Sequence, residues 1–340
     1  MTILMVGMQD SLLVLESSNT GWNSWESLIE TNPQGIAFDP LNPGRAYCAT
    51  FGNGLWRTDD NGRTWNSIGK DVISIPNVMS VAVSSLKRGK ESNKVYAGTE
   101  PSTFYTSYDG GDSWERMKSL NDLPSSKSWS FPPRPWTHHV RWIEPDANNP
   151  DYVFAAIEAG ALVQSRDGGK TWIDRTEQGP YDTHTLVTHS KAPKRLYSSA
   201  GDGYYESFDY GETWTRPVRG LRHQYLFGIA VDSSNPEVVI VSASSGPSRA
   251  YVAEDAETFV YRKDADGKRW KSVTDGLPKS RGTTIMSFAT NAKTPGEFYG
   301  VNNHGLFLST DAGSSWRKLD TLWPKKYFHQ TPWALAISET

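Results

Sequence analysis

Asp182 and His184 stand two positions apart in Gly179-Pro-Tyr-Asp-Thr-His184, a spacing that lets a carboxylate orient an imidazole as a general base. Glu158, in Ile157-Glu-Ala-Gly160, is not a natural turn former and is the strongest single acid of the chain. Asp10, Glu100 and Asp202 complete a set of five carboxylates, although Asp202, in Gly201-Asp-Gly203, reads first as a turn residue. Glycoside hydrolysis needs two such groups flanking the bond, one protonated and one ionised. The histidines offer a second chemistry, since neutral imidazoles from separate segments can share one metal. His139, His184, His223 and His329 are the set expected if a metal is held, though none is favoured. No Gly-x-Ser-x-Gly elbow, phosphate-cradling loop or dinucleotide fingerprint occurs.

What must position these residues is a repeat. Thr58-Asp-Asp-Asn-Gly-Arg-Thr-Trp65 recurs as Ser107–Trp114, Ser165–Trp172, Ser207–Trp214 and Ser309–Trp316. The shared pattern is Ser/Thr-x-Asp-x-Gly-x-Ser/Thr-Trp. A sixth copy, Lys263–Trp270, has Ala265 at the Asp position and keeps Gly267; a seventh, Ser18–Trp25, keeps its ends and Ser24. The Asp accepts bonds from its own turn, the Gly permits positive φ, and the Trp opens the next strand and buries a large ring. Around each copy run four short strands in about thirty-five residues, with turn residues between them and no helical periodicity. Four-stranded units repeated radially make a propeller.

The octapeptide resembles the Asp box (BNR repeat) of sialidases and related propellers. That resemblance implies a structural role for Asp60, Asp109, Asp167, Asp209 and Asp311. The expected fold is all-β: a seven-bladed propeller of four-stranded antiparallel blades. The segment Ile3–Ile29 offers only three strands, and Trp333–Ser338 looks like a first strand with nothing after it, so the C-terminal strand is expected to complete the first blade and close the ring. The whole chain, 1–340, is then one domain, with blades at about 1–30 plus 331–340, 31–70, 78–119, 137–176, 183–219, 225–275 and 283–320. Sialidases have six blades. Seven point to xyloglucan-degrading glycosidases, photosystem assembly factors and sortilin-type receptors. The early Arg-Ile-Pro of a sialidase is absent, and Phe131-Pro-Pro-Arg134-Pro is a poor imitation of it.

The resemblance also implies orientation. Asp-box hairpins lie on one face; the turns between second and third strands, and the loops between blades, lie on the other, where loops on a rigid scaffold host sites. Arg134, Trp136, His138, His139, Arg141, Tyr181, Tyr204, Arg222, His223, Arg249, His304 and His329 all fall on that second face and form the expected substrate-binding set. Glu158, Asp182, His184 and Asp10 form the expected catalytic set; Asp10 is included because xyloglucan-type glycosidases place an acid in the first blade's corresponding turn. The long inter-blade segment Lys118–Thr137, with two Trp in a Pro-rich run, is expected to form a rigid flap over the mouth, and Ser244–Phe259 a second insertion on the same face.

Charge and composition narrow the function. With a net charge of −3, nothing attracts nucleic acid or acidic membranes. Cys48 is the only cysteine, so disulfides and thiol clusters are excluded. The N-terminus lacks the features of a signal peptide, and no apolar run approaches a spanning helix, so a soluble, cytoplasmic monomer is expected. The leading expectation is a glycosidase-like hydrolase, without cofactor, taking a sugar or other polar small molecule at the channel mouth. The alternatives are a lyase or oxygenase with a transition metal in a histidine cage, and a non-catalytic protein-binding propeller.

Overall fold

The computed structural model describes residues 1–86, 93–263, 266 and 268–339. Ala265 and Gly267 of the sixth repeat therefore lie outside the described residues. Seven antiparallel sheets follow one another along the chain. Their inner strands are Ala334–Glu339, Pro33–Phe38, Val78–Val83, Val140–Pro145, Thr183–Thr188, Tyr225–Val231 and Ser287–Thr290, and each contacts the next, the last returning to the first. The chain ends meet in blade 1, where Ala334–Glu339 pairs with Thr2–Gly7 from Thr2–Glu339 to Gly7–Ala334. The C-terminal strand thus closes the ring as expected. In blades 4 and 5 the outermost strand shrinks to single bridges, Gln164–Ile173 and Glu206–Thr215.

Seven hydrophobic clusters occupy the seven inter-blade interfaces, and the repeat sequence accounts for them. Trp65, Trp114, Trp172, Trp214, Trp270 and Trp316 each pack against the preceding blade. Each ring removes on the order of 200 Å² from water, so one residue type drives the stacking of most blades.

The intact repeat turns share one bonding pattern. Thr58 Oγ1 donates to Asp60 Oδ1 (2.7 Å) and accepts from the Gly62 N–H (2.9 Å). Asp60 also accepts from the N–H and hydroxyl of Thr64 (2.8 and 2.6 Å). Trp65 Nε1 donates to Gly62 O at 3.2 Å, as Trp114 and Trp214 do to their own Gly, whereas Trp172 and Trp316 Nε1 make no such bond. Gly62 sits at φ +84°, where an added Cβ would also come within 2.9 Å of Met5. Burial alone would raise the five turn carboxyls, but hydrogen bonds from the Ser/Thr partners outweigh it and hold them below the ordinary value of 3.8. Because the unfolded chain then takes up protons first, this stabilisation is complete above about pH 4 and is lost as pH falls further. Asp60→Ala is expected to cost about 1–2 kcal/mol by leaving turn donors unpaired, read as a lower midpoint in thermal unfolding at pH 7, with a smaller difference at pH 3.

The inner strands are irregular at one end. In blades 2 to 6 the register slips within Pro33–Gly35, Val78–Ser80, Val140–Trp142, Thr183–Thr185 and Leu226–Ile229. Each is a β-bulge, and it leaves Gln34, Met79, Arg141, His184 and, in blade 6, Phe227-Gly228 out of the ladder. A bulge re-aims the side chain it frees.

Candidate functional site

A pocket of about 510 Å³ opens at the bulged end of the channel. Four of the freed side chains, Gln34, Met79, Arg141 and Phe227, line it directly. The fifth, His184, is fully buried beside it. Phe51, Phe131, Tyr225, Tyr251 and Trp333 supply most of the remaining wall. The mouth is therefore apolar, with a few polar groups converging on it, as small-molecule sites are.

The long inter-blade segment does cover this mouth. It folds as two short 3₁₀ turns, Lys118–Asp122 and Pro124–Ser128, and a tight Phe131–Arg134 bridge. Its base is fixed by Ser125, whose N–H and hydroxyl both donate to Asp174 (2.8 and 2.5 Å), and by Trp129, which is buried and donates to Ser125 Oγ. Pro132, Pro133 and Arg134 are thereby held at the rim.

The polar groups form a chain across blades 3, 4 and 5. Arg134 clamps Glu100 with two bonds, at 2.8 and 2.6 Å. His139 Nδ1 lies 3.1 Å from Glu100 Oε2, and its Nε2 lies 2.8 Å from Glu158 Oε2. Arg141 Nε is 3.6 Å from the same Glu158 oxygen, and its guanidinium lies over the Phe227 ring at 4.8 Å. His184 Nε2 is 3.7 Å from both Glu158 Oε1 and Asp182 Oδ2. Asp182 Oδ1 accepts the Ala159 N–H at 2.8 Å. His184 Nδ1 lies 2.5 Å from Leu226 O, an acceptor only, so Nδ1 carries the proton.

These surroundings push two neighbouring carboxyls in opposite directions. Burial would raise Glu158, but the His139 hydrogen bond and the charges of His139, His184 and Arg141 bring it down to about 2. Glu100 is likewise brought down to about 2, against burial, by His139 and Arg134. Asp182 is raised by burial, opposed by His184 and reinforced by Glu158. Burial lowers His139, yet its two carboxylates outweigh that and raise it.

Of the sequence-derived candidates, the structure gathers Glu100, Glu158, Asp182, His184, His139, Arg141 and Arg134 into this one constellation, and Asp202 adjoins it by accepting the Asp182 N–H at 3.3 Å. It does not gather the others. Asp10 lies in blade 1 beside Ser11 and Lys326 and does not line the pocket. Tyr204 is fully buried between blades, where its hydroxyl donates to Glu206 at 2.5 Å and its ring meets Trp270 edge-on. His223 stacks on Phe259 at 3.8 Å and bonds Tyr261. His304 bonds Gly282 O, and exposed His329 bonds Glu254. Arg249 is exposed and donates to Asp255 O, while Arg222 faces solvent. His138 packs edge-on to Trp129, and burial lowers its pKa. Trp136 and Tyr181 remain accessible, at 81% and 43% exposure. The four-histidine cage is therefore not formed: His223 and His329 belong to other blades and are engaged there, leaving only His139 and His184 together.

Tyr251, Phe227, Trp333, Met79 and Gln34 were not anticipated. Tyr251 had a signal, since it lies inside the blade 6 insertion; the others are bulge or channel residues with none.

No protein-family model matches the chain. It is 24% identical over 290 residues to the xyloglucanase Xgh74A of Acetivibrio thermocellus, covering 76% of this chain and 28% of that protein. It is 21% identical over 319 residues to the photosystem II assembly lipoprotein Ycf48 of Synechococcus sp. (strain CC9902), covering 92% of this chain and 84% of that one. Among solved structures it superposes on an ancestral GH74 enzyme with a TM-score of 0.63 at 18% identity, over 90% of this chain and 38% of that one. It also superposes on YCF48 bound to D1 peptide, with a TM-score of 0.58 at 19% identity, over 85% and 82%. The chain thus spans just over a quarter of the xyloglucanase and most of Ycf48. At such identities the likeness establishes the fold: a seven-bladed β-propeller with relatives among GH74 xyloglucanases and Ycf48 proteins.

Proposed function

We propose that the pocket binds a sugar or comparable polyhydroxylated small molecule and hydrolyses a glycosidic bond in it. The observation that carries this reading is the pairing of Glu158 and Asp182. Their facing oxygens lie no more than 4.8 Å apart, and their surroundings lower the pKa of Glu158 and raise that of Asp182. That upper bound lies below the roughly 5–5.5 Å of retaining glycosidases and far below the roughly 6.5–9.5 Å of inverting ones. Asp182 then protonates the leaving oxygen as the glycosidic C–O bond breaks, while Glu158 bonds to the anomeric carbon. Water next attacks that carbon, Asp182 takes its proton, and the Glu158 ester bond breaks. His139 and Arg141 hold Glu158 ionised. The xyloglucanase relatives support a carbohydrate class of substrate, and the repeat turns are read as Asp boxes.

The test is incubation of the protein with a panel of aryl glycosides and xyloglucan oligosaccharides. Release of a sugar by the wild type and its loss in Glu158→Gln supports the reading; no turnover across the panel counts against it. Exposed Trp136, two residues along the chain from Arg134 and outside the pocket lining, offers a free ring on which a ligand extending beyond the mouth can stack. Trp136→Ala is expected to weaken ligand binding about 3- to 10-fold with almost no change in thermal stability, measured by calorimetry and unfolding.

A second reading has its own support. The chain aligns along most of Ycf48, and one matching structure is of YCF48 bound to D1 peptide. A peptide-binding mouth without chemistry predicts that Glu158→Gln alters affinity for a peptide and no rate.

A further inference from the structure

We infer that Glu158, Asp182 and His184 form a binding site for one divalent transition-metal ion. Each residue has one atom held by the protein and one left over. Glu158 Oε2 takes the His139 contact at 2.8 Å, leaving Oε1. Asp182 Oδ1 takes the Ala159 N–H at 2.8 Å, leaving Oδ2. His184 Nδ1 donates to Leu226 O at 2.5 Å, leaving Nε2. The three spare atoms converge: Nε2 is 3.7 Å from each oxygen, and all three lie within 4.8 Å of one another.

His184 supplies the independent sign of a ligand. Its side chain is 1% exposed, and Nε2 is a buried polar atom with no hydrogen-bond partner among the described residues. Such an atom costs free energy unless something occupies the space it faces. The protein offers it only two carboxylate oxygens, each 3.7 Å away and beyond hydrogen-bond reach. A cation satisfies all three at once. Donors on one ion at about 2.1 Å stand about 3–3.5 Å apart, so closure requires His184 to approach each oxygen by a few tenths of an ångström and the two carboxylates to close by up to about 1–2 Å between them. One imidazole and two carboxylates suit Zn²⁺ or Mn²⁺ better than Ca²⁺, which takes oxygen alone. The bonds to Ala159, Leu226 and His139 orient the ligands as an outer layer does in established metal sites.

This inference does not rest on the hydrolase reading. The ion takes the place of the Asp182 proton, so a metal-loaded protein lacks the proton donor. The test is calorimetric titration of the full-length, chelator-stripped protein with Zn²⁺, Mn²⁺ and Ca²⁺ at pH 7.5. One Zn²⁺ or Mn²⁺ per chain is expected, with Ca²⁺ bound far more weakly. His184→Ala and Asp182→Asn should each weaken binding by about 100-fold or more, and His329→Ala, which removes an exposed histidine elsewhere, should leave it unchanged. Thermal melts check that each variant is folded; should His184→Ala not fold, the near-isosteric Asp182→Asn decides. No wild-type binding up to millimolar metal, or equal binding by wild type and Asp182→Asn, overturns the site. Failure of the hydrolase reading looks different: the stripped protein turns over no glycoside while metal binding is intact.

Discussion

Asp182→Asn is expected to lower the turnover number for a glycoside by about 10²–10⁴-fold while leaving KM within a few-fold. The amide keeps the shape of the carboxyl and can still accept the Ala159 N–H, so the fold and the pocket wall survive. What it loses is a proton to give. Glu158→Gln should cause at least as large a loss, because the group that meets the anomeric carbon becomes neutral while His139 and Arg141 stay beside it. On the proposed hydrolysis the two residues act on one bond, so the double variant should be little worse than the poorer single one. Additive losses would mean that the two side chains serve separate steps or separate ligands. Full activity in either variant would remove it from the chemistry.

Lys263→Met is expected to destabilise the protein by about 3–5 kcal/mol, lowering the unfolding midpoint by roughly ten degrees without altering the pocket. Lys263 stands where the intact repeats carry Ser or Thr, and the Asp that such a residue would bond is replaced by Ala265. Its ammonium instead crosses to blade 5 and pairs with Glu206. Both side chains are nearly inaccessible, and Glu206 is further held by Tyr204 and by Arg195 at 3.4 Å, which in turn pairs with Glu237 of blade 6. Removing Lys263 leaves a buried carboxylate short of a counter-charge, and that is where the loss comes from. Lys263→Met combined with Glu206→Gln should recover much of the stability, because both charges then leave together. A single variant as stable as the wild type would show that the pair is not needed at this interface.

The repeat made the fold readable. Its Trp, Gly and Asp each have a local physical task; five intact and two degenerate copies give the blade number and hairpin positions, and the lone C-terminal strand gives the ring closure. The site was half readable. Glu158, Asp182 and His184 stood out because a carboxylate that is a poor turn former, and an Asp-x-His pair, are unusual at strand ends. Asp10, Tyr204, Arg222, Arg249, His223, His304 and His329 were assigned to the same face, but a face is not a pocket. The pocket is lined from blades 2 to 6, the Pro-rich flap and the segment before the closing strand, and the turns that carry Asp10, Arg222 and His304 do not reach it. Met79 and Phe227 could not be found at all, since an apolar residue freed by a bulge looks, in sequence, like any other strand residue.

Those bulges also bear on how such a protein changes over time. Each of blades 2 to 6 presents its freed side chain to the axis from a position that gives no rung to the ladder. Replacing one of them alters the chemistry at the mouth while every neighbouring strand pairing stays in place. The scaffold therefore separates stability from specificity: the outer hairpins hold the ring, and the four freed side chains that line the pocket, Gln34, Met79, Arg141 and Phe227, help to set what the mouth presents.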